Sequence, residues 1–321
     1  MLPSEIIRRV REIQVRTGRQ VADVLAGEYI SVFRGSGIEF DEVRPYLPGD
    51  DIRTIDWNVT ARMGEPFVKR YVEERQLTLT LLADISASQE FGTGERSKRE
   101  AAAEICALLA FSAIQNDDKV GLTLFHDEIE QFIPPRKGQR HALRVVREVL
   151  AHGQDERRRP RSLTNRSLGR RGRAAGAPKR RGGRRGTSIQ GAIEFFLSVT
   201  PRKSVCFVVS DFLDEGWESA LRQANRKHDV IAVLITDPRE TEIPNVGLVA
   251  LDDAETGRRI LVDTGKPGFR RSVKELSLAR IDALRTQLTA SSIDLIHVDA
   301  SLSVVDPLVK FFKARERRMR R

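Results

Sequence analysis

From Leu77 onward, short apolar stretches alternate with segments of helical length, and this alternation constrains the fold more than any other feature. The apolar stretches, such as VCFVV and VIAVLI, have the length of single strands. The first of them, LTLTLLAD, alternates leucine with threonine and then runs apolar, as expected of a central strand in a covered sheet. Strands that alternate with helices in this way predict an α/β sheet.

Six predicted strands make up this sheet. They span 77–84, 119–125, 129–133, 204–210, 230–235 and 294–298. The predicted helices span 97–115, 140–150, 189–198, 217–227, 272–289 and 304–315, and an added hairpin spans 248–251 and 259–262. The turn between the second and third strands is too short for a crossover, so the third strand should be antiparallel to the second and lie at an edge.

The connections between these strands limit the order in which they can pair. Right-handed crossovers leave few topologies, and doubly wound sheets commonly use the order 3-2-1-4-5-6. We therefore predict a doubly wound, mostly parallel six-stranded α/β sheet in that order. The first and fourth strands are then neighbours, and open α/β sheets bind ligands in the crevice at the carboxyl ends of such a pair.

The remaining sequence predicts additions to this sheet domain, which spans 77–315. Residues 1–76 form an N-terminal extension that begins with a helix and continues as a β-rich region with Gly, Pro and Asp turns. Residues 153–186 lack any periodicity and are rich in Arg, Gly, Pro and Ala, which predicts a disordered basic insertion. Residues 316–321 form a basic tail.

Several aspartates of the extension lie close in sequence to arginines. They are Asp50, Asp51 and Asp56, beside Arg44, Arg53 and Arg62. We expect a structural network of Asp–Arg pairs and Asx turns around Trp57. A second metal or catalytic site in this region is the alternative.

The net charge of +10 comes from the insertion. Of 55 Lys and Arg residues, 13 fall within 157–186, which contains no acid, so the rest of the chain has 42 basic against 45 acidic residues. This is a local feature and not a basic fold. Weak nucleic-acid binding through this segment and the tail 313–321 is an alternative, but no aromatics interleave with these arginines, so such binding would be electrostatic and steeply salt-dependent.

The apolar runs and the cysteine residues are informative about the cellular location of the protein. No apolar run approaches the ~18 residues of a membrane span, so membrane insertion is not expected. The amphipathic, charged N-terminus is not typical of a secretory signal. Cys106 and Cys206 lie in apolar surroundings, where structural thiols are expected, and we infer a cytoplasmic location. The five histidines have neither metal-ligand nor catalytic-triad spacing.

Oxygen-bearing side chains converge on the predicted crevice. The first strand ends in Asp84-Ile85-Ser86-Ala87-Ser88, Asp211 ends the fourth strand, and Thr187 begins the helix that leads into it. Such hard oxygens are the ligands that Mg²⁺ prefers, and the absence of His and Cys argues against zinc. The sequence therefore predicts a Mg²⁺ site, with Mn²⁺ as an alternative ion, formed by Asp84, Ser86, Ser88, Thr187 and Asp211.

This pattern resembles the metal-ion-dependent adhesion site of von Willebrand factor A domains. A closer resemblance covers nearly the whole chain, since residues 35–75 are similar to the hallmark segment of a bacterial family of unknown function with a von Willebrand factor A-like core. The specific part of that segment is GDDIR-x-IDW, and the later VVSDF, DPRE and PLVKFFKAR are similar to the family as well.

The resemblance implies roles for the five donors. Ser86 and Ser88 would bind Mg²⁺ directly, whereas Asp84, Asp211 and Thr187 would bind it directly or through water. Ser188 could substitute for Thr187. Phe212 follows Asp211, where many adhesion domains have Gly, which puts the geometry of that turn in question.

The resemblance also implies a function. Members of the family resemble partners of MoxR-type AAA+ ATPases, which implies a non-enzymatic adaptor or chaperone-like module. Its partners would be a MoxR-type AAA+ ATPase and adhesion-type membrane proteins, and an acidic residue of a partner would fill the open coordination position of the metal.

A Mg²⁺-dependent phosphoryl-transfer enzyme is the alternative, since a carboxylate pair that holds Mg²⁺ can support that chemistry. Haloacid-dehalogenase-like enzymes, however, need a second Asp two residues after the nucleophilic Asp, and Ser86 stands at that position. The phosphate-binding motifs G-x-x-x-x-G-K-[ST] and strand-anchored G-x-G-x-x-G do not occur. Gly92-Thr93-Gly94 only resembles a phosphate loop, and a turn before the next helix explains it.

Overall fold

A computed structural model describes residues 37–74, 77–94, 96–151, 187–252 and 259–319. The predicted N-terminal helix and the predicted disordered insertion lie outside the described residues and stay predictions. In the described part of the chain, no helix is both long and apolar enough to span a membrane.

The strands and helices of these residues follow the predicted alternation. The strands are β1 Gly37–Pro45, β2 Phe67–Glu74, β3 Thr78–Asp84, β4 Lys119–Phe125, β5 Ile129–Arg136, β6 Val205–Ser210, β7 Asp229–Thr236, β8 Leu248–Asp252, β9 Arg259–Asp263 and β10 Asp294–Asp299. The helices are α1 Trp57–Met63, α2 Lys98–Gln115, α3 Gln139–Ala151, α4 Ile189–Val199, α5 Glu218–Lys227, α6 Pro238–Thr241, α7 Pro267–Ala290 and α8 Val305–Met319. Helix α8 extends beyond the predicted end, so residues 316–319 of the predicted tail are helical.

One six-stranded sheet has the order β10-β7-β6-β3-β4-β5. Its neighbouring strands are parallel, except that β4 and β5 are antiparallel. When the six strands of this sheet are numbered 1 to 6 along the chain and read from the β5 edge, their order is 3-2-1-4-5-6. Strand β5 is the antiparallel edge strand. The predicted fold class, strand order and edge strand are therefore confirmed.

Helices cover both faces of this sheet, because successive strand residues point to opposite faces. Leu79 and Leu81 of β3 belong to a core with α2, α3 and α8, whereas Leu82 belongs to a core with α4, α5 and α7. Cys106 and Cys206 are buried free thiols, one in each core, as predicted. Burial raises the pKa of the Cys106 thiol to about 12, so this group is inert at neutral pH.

The described part of the extension is an antiparallel hairpin of β1 and β2. The Arg44 guanidinium donates two hydrogen bonds of 2.8 Å to the Asp50 carboxylate, which confirms one predicted ion pair. Asp56 caps α1 and pairs with Lys69 at 3.1 Å, so its partner is a lysine and not an arginine. The network does not enclose Trp57 as predicted, because this side chain is 67% exposed.

Candidate metal-binding site

The loop after β3 holds three of the predicted donors in one hydrogen-bonded cluster. Asp84 is the last residue of β3, and its Oδ1 accepts a 2.8 Å hydrogen bond from the Ser86 amide. Its Oδ2 accepts one of 2.6 Å from the Ser210 hydroxyl. A 3-10 turn follows Ser86 and brings the Ser86 and Ser88 hydroxyls to 3.0 Å from each other. All four side chains are buried, so the cluster is rigidly held.

Asp211 lies at the same end of the sheet, because it directly follows β6 and β6 pairs in parallel with β3. Asp84 and Asp211 are each 1% exposed. Burial, together with the negative charge of Asp211, raises the pKa of the Asp84 carboxyl to about 6. The two carboxylates therefore repel each other across the crevice, as their predicted juxtaposition requires. Asp211 Oδ1 is buried and has no hydrogen-bond partner among the described residues.

Phe212 makes the turn after Asp211 in the left-handed region, with φ of 51°. Glycine adopts this conformation easily, whereas other residues meet a cost of about 1–2 kcal/mol. The Phe212 ring is buried and packs edge-on against Trp217, with 5.5 Å between ring centroids, and this packing offsets the strain. The guanidinium of Arg280 donates to the Asp211 carbonyl at 3.0 Å and fixes the backbone at the same point.

The start of α4 places Thr187 at this edge of the sheet. The Ser188 amide donates to the His126 carbonyl at 2.7 Å, and the Ile189 amide donates to the Asp214 carboxylate at 2.8 Å. His126 follows β4 and Asp214 follows β6, and β3 lies between these two strands in the sheet. The start of α4 therefore crosses the end of β3. The Ser188 hydroxyl caps α4, which favours the half-buried Thr187 over Ser188 as the candidate donor.

Lys98, in the first turn of α2, is a residue of this site that the sequence analysis missed. Its ammonium donates to Asp211 Oδ2 at 2.7 Å and to Glu240 Oε1 at 2.5 Å, and the side chain is 1% exposed. Burial opposes the charged form, but attraction to Asp211 and Glu240 outweighs it and raises the pKa of Lys98. One signal was available, although it does not identify the partner: α2 is Ala-rich and buried on nearly all sides, and a lysine that is buried in such a helix needs an anion beside it.

The turn at Gly92-Thr93-Gly94 is tied to the loop after β7. The Thr93 amide and hydroxyl donate to the Asp237 carboxylate at 2.9 and 2.6 Å, so these donors serve the fold. A Cβ atom on Gly92 would lie 2.5 Å from the Ser97 Cα, so glycine allows the chain to pass close to the start of α2. These contacts agree with the prediction of a turn before the next helix.

These donors fit a hard divalent cation. Two carboxylates and two hydroxyls meet at one edge of the sheet, and Asp211 presents one oxygen to Lys98 and keeps the other unpartnered. The described residues contain no group of three or more His, Cys, Asp or Glu suited to a metal ion, and the candidate set itself has only two acids, Asp84 and Asp211. Any ion at this site would therefore rely on serine and threonine hydroxyls, as magnesium sites can.

Solved structures with similarity to the chain include the von Willebrand factor A domain of SpRpn10, 12% identical, with 74% of this chain and 95% of that chain covered and a TM-score of 0.35. The conserved hypothetical protein BatB from Bacteroides thetaiotaomicron is 17% identical, with 75% of this chain and 99% of that chain covered and a TM-score of 0.39. Because these TM-scores are below 0.5, the similarities carry no argument, and the fold class is established by the strand order of the chain itself.

The chain belongs to the family described as protein of unknown function DUF58, whose sequence profile matches residues 42–280. The uncharacterized protein Rv1480 of Mycobacterium tuberculosis is 28% identical over 312 residues, which cover 96% of this chain and 89% of that protein. The uncharacterized protein YeaD of Bacillus subtilis is 28% identical over 111 residues, 34% of this chain and 26% of that protein. The family resemblance drawn from the GDDIR-x-IDW segment is confirmed.

Proposed function

We propose that this protein is a non-enzymatic, Mg²⁺-dependent protein-interaction module. One observation supports this above all: Asp84 and Asp211 are buried at the ends of neighbouring parallel strands, and Asp211 keeps one buried oxygen without a partner. Two such carboxylates repel each other, and a divalent cation between them would relieve the repulsion and use the unpartnered oxygen.

The residues around the cation would have distinct tasks. Ser86 and Ser88 would bind it through their hydroxyls, and Asp84, Asp211 and Thr187 would bind it directly or through water. The bound cation would supply a positive charge that attracts an acidic side chain of a partner. The chain itself orients the donors, since Ser210 and the Ser86 amide fix Asp84, and Lys98 fixes one oxygen of Asp211.

Two observations favour recognition over phosphoryl transfer. Ser86 occupies the position where a haloacid-dehalogenase-like enzyme would need its second carboxylate, and it is hydrogen-bonded within the cluster. The Thr93 donors that could hold a phosphate are bonded to Asp237.

The surface beside the site indicates the chemistry of the partner. Phe91, whose amide bonds to the Ser88 carbonyl, is 44% exposed, and Leu213, two residues after Asp211, is 51% exposed. Apolar side chains thus follow both acidic loops, which suits an acidic residue flanked by apolar ones. The family resemblance points to a MoxR-type AAA+ ATPase as the partner and to an adaptor role.

The metal is tested by unfolding the wild type with Mg²⁺ and with chelator. We expect Mg²⁺ at about 100 times its dissociation constant to stabilise the fold by about 2.7 kcal/mol. Asp84→Asn keeps one acceptor oxygen for the Ser86 amide, while its amide nitrogen can donate to the Ser210 hydroxyl, and it should abolish the response. Asp214→Asn is the matched control, because it neutralises an acid of the neighbouring loop while the amide oxygen can still accept from Ile189. A wild type that does not respond to Mg²⁺ or Mn²⁺ would overturn the proposal.

The partner is tested separately, by capture of a MoxR-type ATPase from the same genome on the immobilised protein. We expect capture in Mg²⁺, loss in chelator, loss with Asp84→Asn and retention with Asp214→Asn. Capture that is insensitive to chelator and to Asp84→Asn would place the interaction elsewhere on the molecule.

A further inference from the structure

The hairpin of β8 and β9 is separate from the main sheet and strongly exposed. Within the described residues it forms a two-stranded sheet. Leu248 and Leu261 are each 69% exposed, and Ile260 is 49% exposed. A strand edge with open backbone groups and apolar side chains is a template for pairing with another chain, so this hairpin is a candidate interaction surface.

The register of the hairpin determines which backbone groups point outward. In an antiparallel pair, opposing residues alternate between those that exchange hydrogen bonds and those that do not. The Thr264 amide donates to the Gly247 carbonyl at 2.8 Å, one step beyond the Leu248–Asp263 pair. By alternation, residues 260 and 262 bond to β8, and residues 259, 261 and 263 direct their backbone groups away from β8. The Asp263 carbonyl also accepts a long, 3.4 Å hydrogen bond from the Lys266 amide and keeps its second lone pair for a partner strand.

The sequence of this outer edge is complementary to itself. Strand β9 reads Arg259-Ile-Leu-Val-Asp263, so an antiparallel copy centred on Leu261 places each Arg259 opposite Asp263 of the second copy. The two Leu261 side chains then lie opposite each other, and each continues the row that Ala250 begins within the hairpin. Strand β8, Leu-Val-Ala-Leu-Asp, has no basic residue and lacks this complementarity.

We propose that β9 is a homodimerisation edge, which pairs antiparallel with β9 of a second copy to form a four-stranded sheet β8-β9-β9′-β8′. The interface is isologous, since the same five residues contribute from both copies about a two-fold axis. It goes beyond the proposed function, because it does not involve the candidate metal site. A dimer of this kind would present two candidate sites to a partner and raise its apparent affinity by bivalent binding.

The edge strand β5 of the main sheet provides a contrast. It contains Pro134 and Pro135, which have no backbone N–H to donate, and proline is a common means of preventing edge-to-edge pairing. Strand β9 contains no proline, and its charges at opposite ends favour pairing with a copy of itself rather than opposing it.

Charge reversal tests the pairing. Sedimentation of the wild type up to about 1 mM should show a concentration-dependent monomer–dimer equilibrium. Arg259→Asp places like charges opposite each other and should weaken the dimer at least tenfold, whereas Arg259→Asp with Asp263→Arg should restore it. An equimolar mixture of the Arg259→Asp and Asp263→Arg variants should form a heterodimer.

Because Asp263 Oδ1 also accepts from the Gly265 amide, Asp263→Arg removes a bond within the turn. Circular dichroism and thermal unfolding of each variant separate that effect from the interface, and Asp263→Asn keeps the acceptor while it removes the charge. A wild type that stays monomeric throughout, or a dimer that is unaffected by both reversals, would overturn the proposal.

Cysteine cross-linking provides a second test. Opposing residues of an antiparallel pair have Cβ atoms about 4.5–5.5 Å apart, within reach of a disulfide after small movements. Leu261→Cys should form a covalent dimer on mild oxidation. Leu248→Cys, equally exposed but on β8, should not, and the native Cys106 and Cys206 are buried and add no background. Equal cross-linking of both variants would contradict the pairing.

Discussion

Replacing Lys98 with methionine removes the buried charge of the candidate site and keeps most of the side-chain volume. The Lys98 ammonium lies 2.7 Å from Asp211 Oδ2. At an effective dielectric constant of about 20, this distance corresponds to an attraction of about 6 kcal/mol, from which the desolvation of both groups must be subtracted. Leaving one member of a buried pair without its partner costs about 3–5 kcal/mol, so we expect this loss in the free energy of unfolding in chelator.

Mg²⁺ should restore part of this loss if it binds at Asp211. The bound cation would supply the positive charge that Lys98→Met removes, so the stabilisation by Mg²⁺ should be larger in the variant than in the wild type. Urea denaturation in chelator and in Mg²⁺ measures both quantities, because the free energy of unfolding in each condition is obtained by linear extrapolation to zero urea. The difference in the free energy of unfolding between Lys98→Met and the wild type should be smaller when Mg²⁺ is present.

Two controls separate the charge from general packing. Lys98→Met with Asp211→Asn leaves no unpaired charge between these two positions and should recover much of the loss. Lys310→Met replaces an exposed lysine of α8 and should change the free energy of unfolding by less than about 0.5 kcal/mol. A loss below about 1 kcal/mol for Lys98→Met would contradict a stabilising buried ion pair, as would a double variant no more stable than the single one.

Three further predictions follow from particular contacts, and urea or thermal unfolding measures each. Gly92→Ala should destabilise by about 1–3 kcal/mol, because its Cβ would lie 2.5 Å from the Ser97 Cα, whereas Gly94→Ala meets only an ordinary contact and should cost less. Phe212→Gly should be about 1 kcal/mol less destabilising than Phe212→Ala, because φ is 51°; the reverse order would contradict the strain. Burial, and to a smaller extent the charge of Lys227, lowers the pKa of His228 to about 4. Between pH 7 and 5 the imidazole therefore takes up a proton only in the unfolded chain, and the free energy of unfolding should fall by about 1–2 kcal/mol. His228→Asn should reduce this dependence on pH.

The sheet and the pairing of its two acids could be predicted because both depend on local pattern and on general topology. The four central strands of the main sheet, β3, β4, β6 and β7, are largely apolar runs bounded by polar turns, and the handedness of crossovers restricts the order of such runs. Once β3 and β6 are neighbours, Asp84 and Asp211 must lie at the same edge. The turn at Phe212 could not be predicted in this way, because phenylalanine stands where glycine was expected; the chain nevertheless adopts the left-handed conformation there.

The role of Lys98 could not be predicted in this way. Its partners Asp211 and Glu240 are 113 and 142 residues away in sequence, and their approach depends on how α2 and the loop after β7 pack on the sheet. The exposure of Trp57 could not be predicted either, because a tryptophan among aspartates and arginines has the local sequence of a packed turn, whereas here it begins α1 and is 67% exposed.

Lys98 also changes what the crevice requires for folding. Without it, two buried carboxylates would face each other with no internal cation, and the fold would be less stable in the absence of a bound metal. With it, the ammonium compensates Asp211 through one oxygen, and the other oxygen stays unpartnered. The charge balance therefore predicts a domain that folds without metal and binds Mg²⁺ as a separate event, at an affinity lower than two uncompensated carboxylates would give. Raising that affinity should require only Lys98→Met, which connects the metal response and the stability of this site to a single side chain.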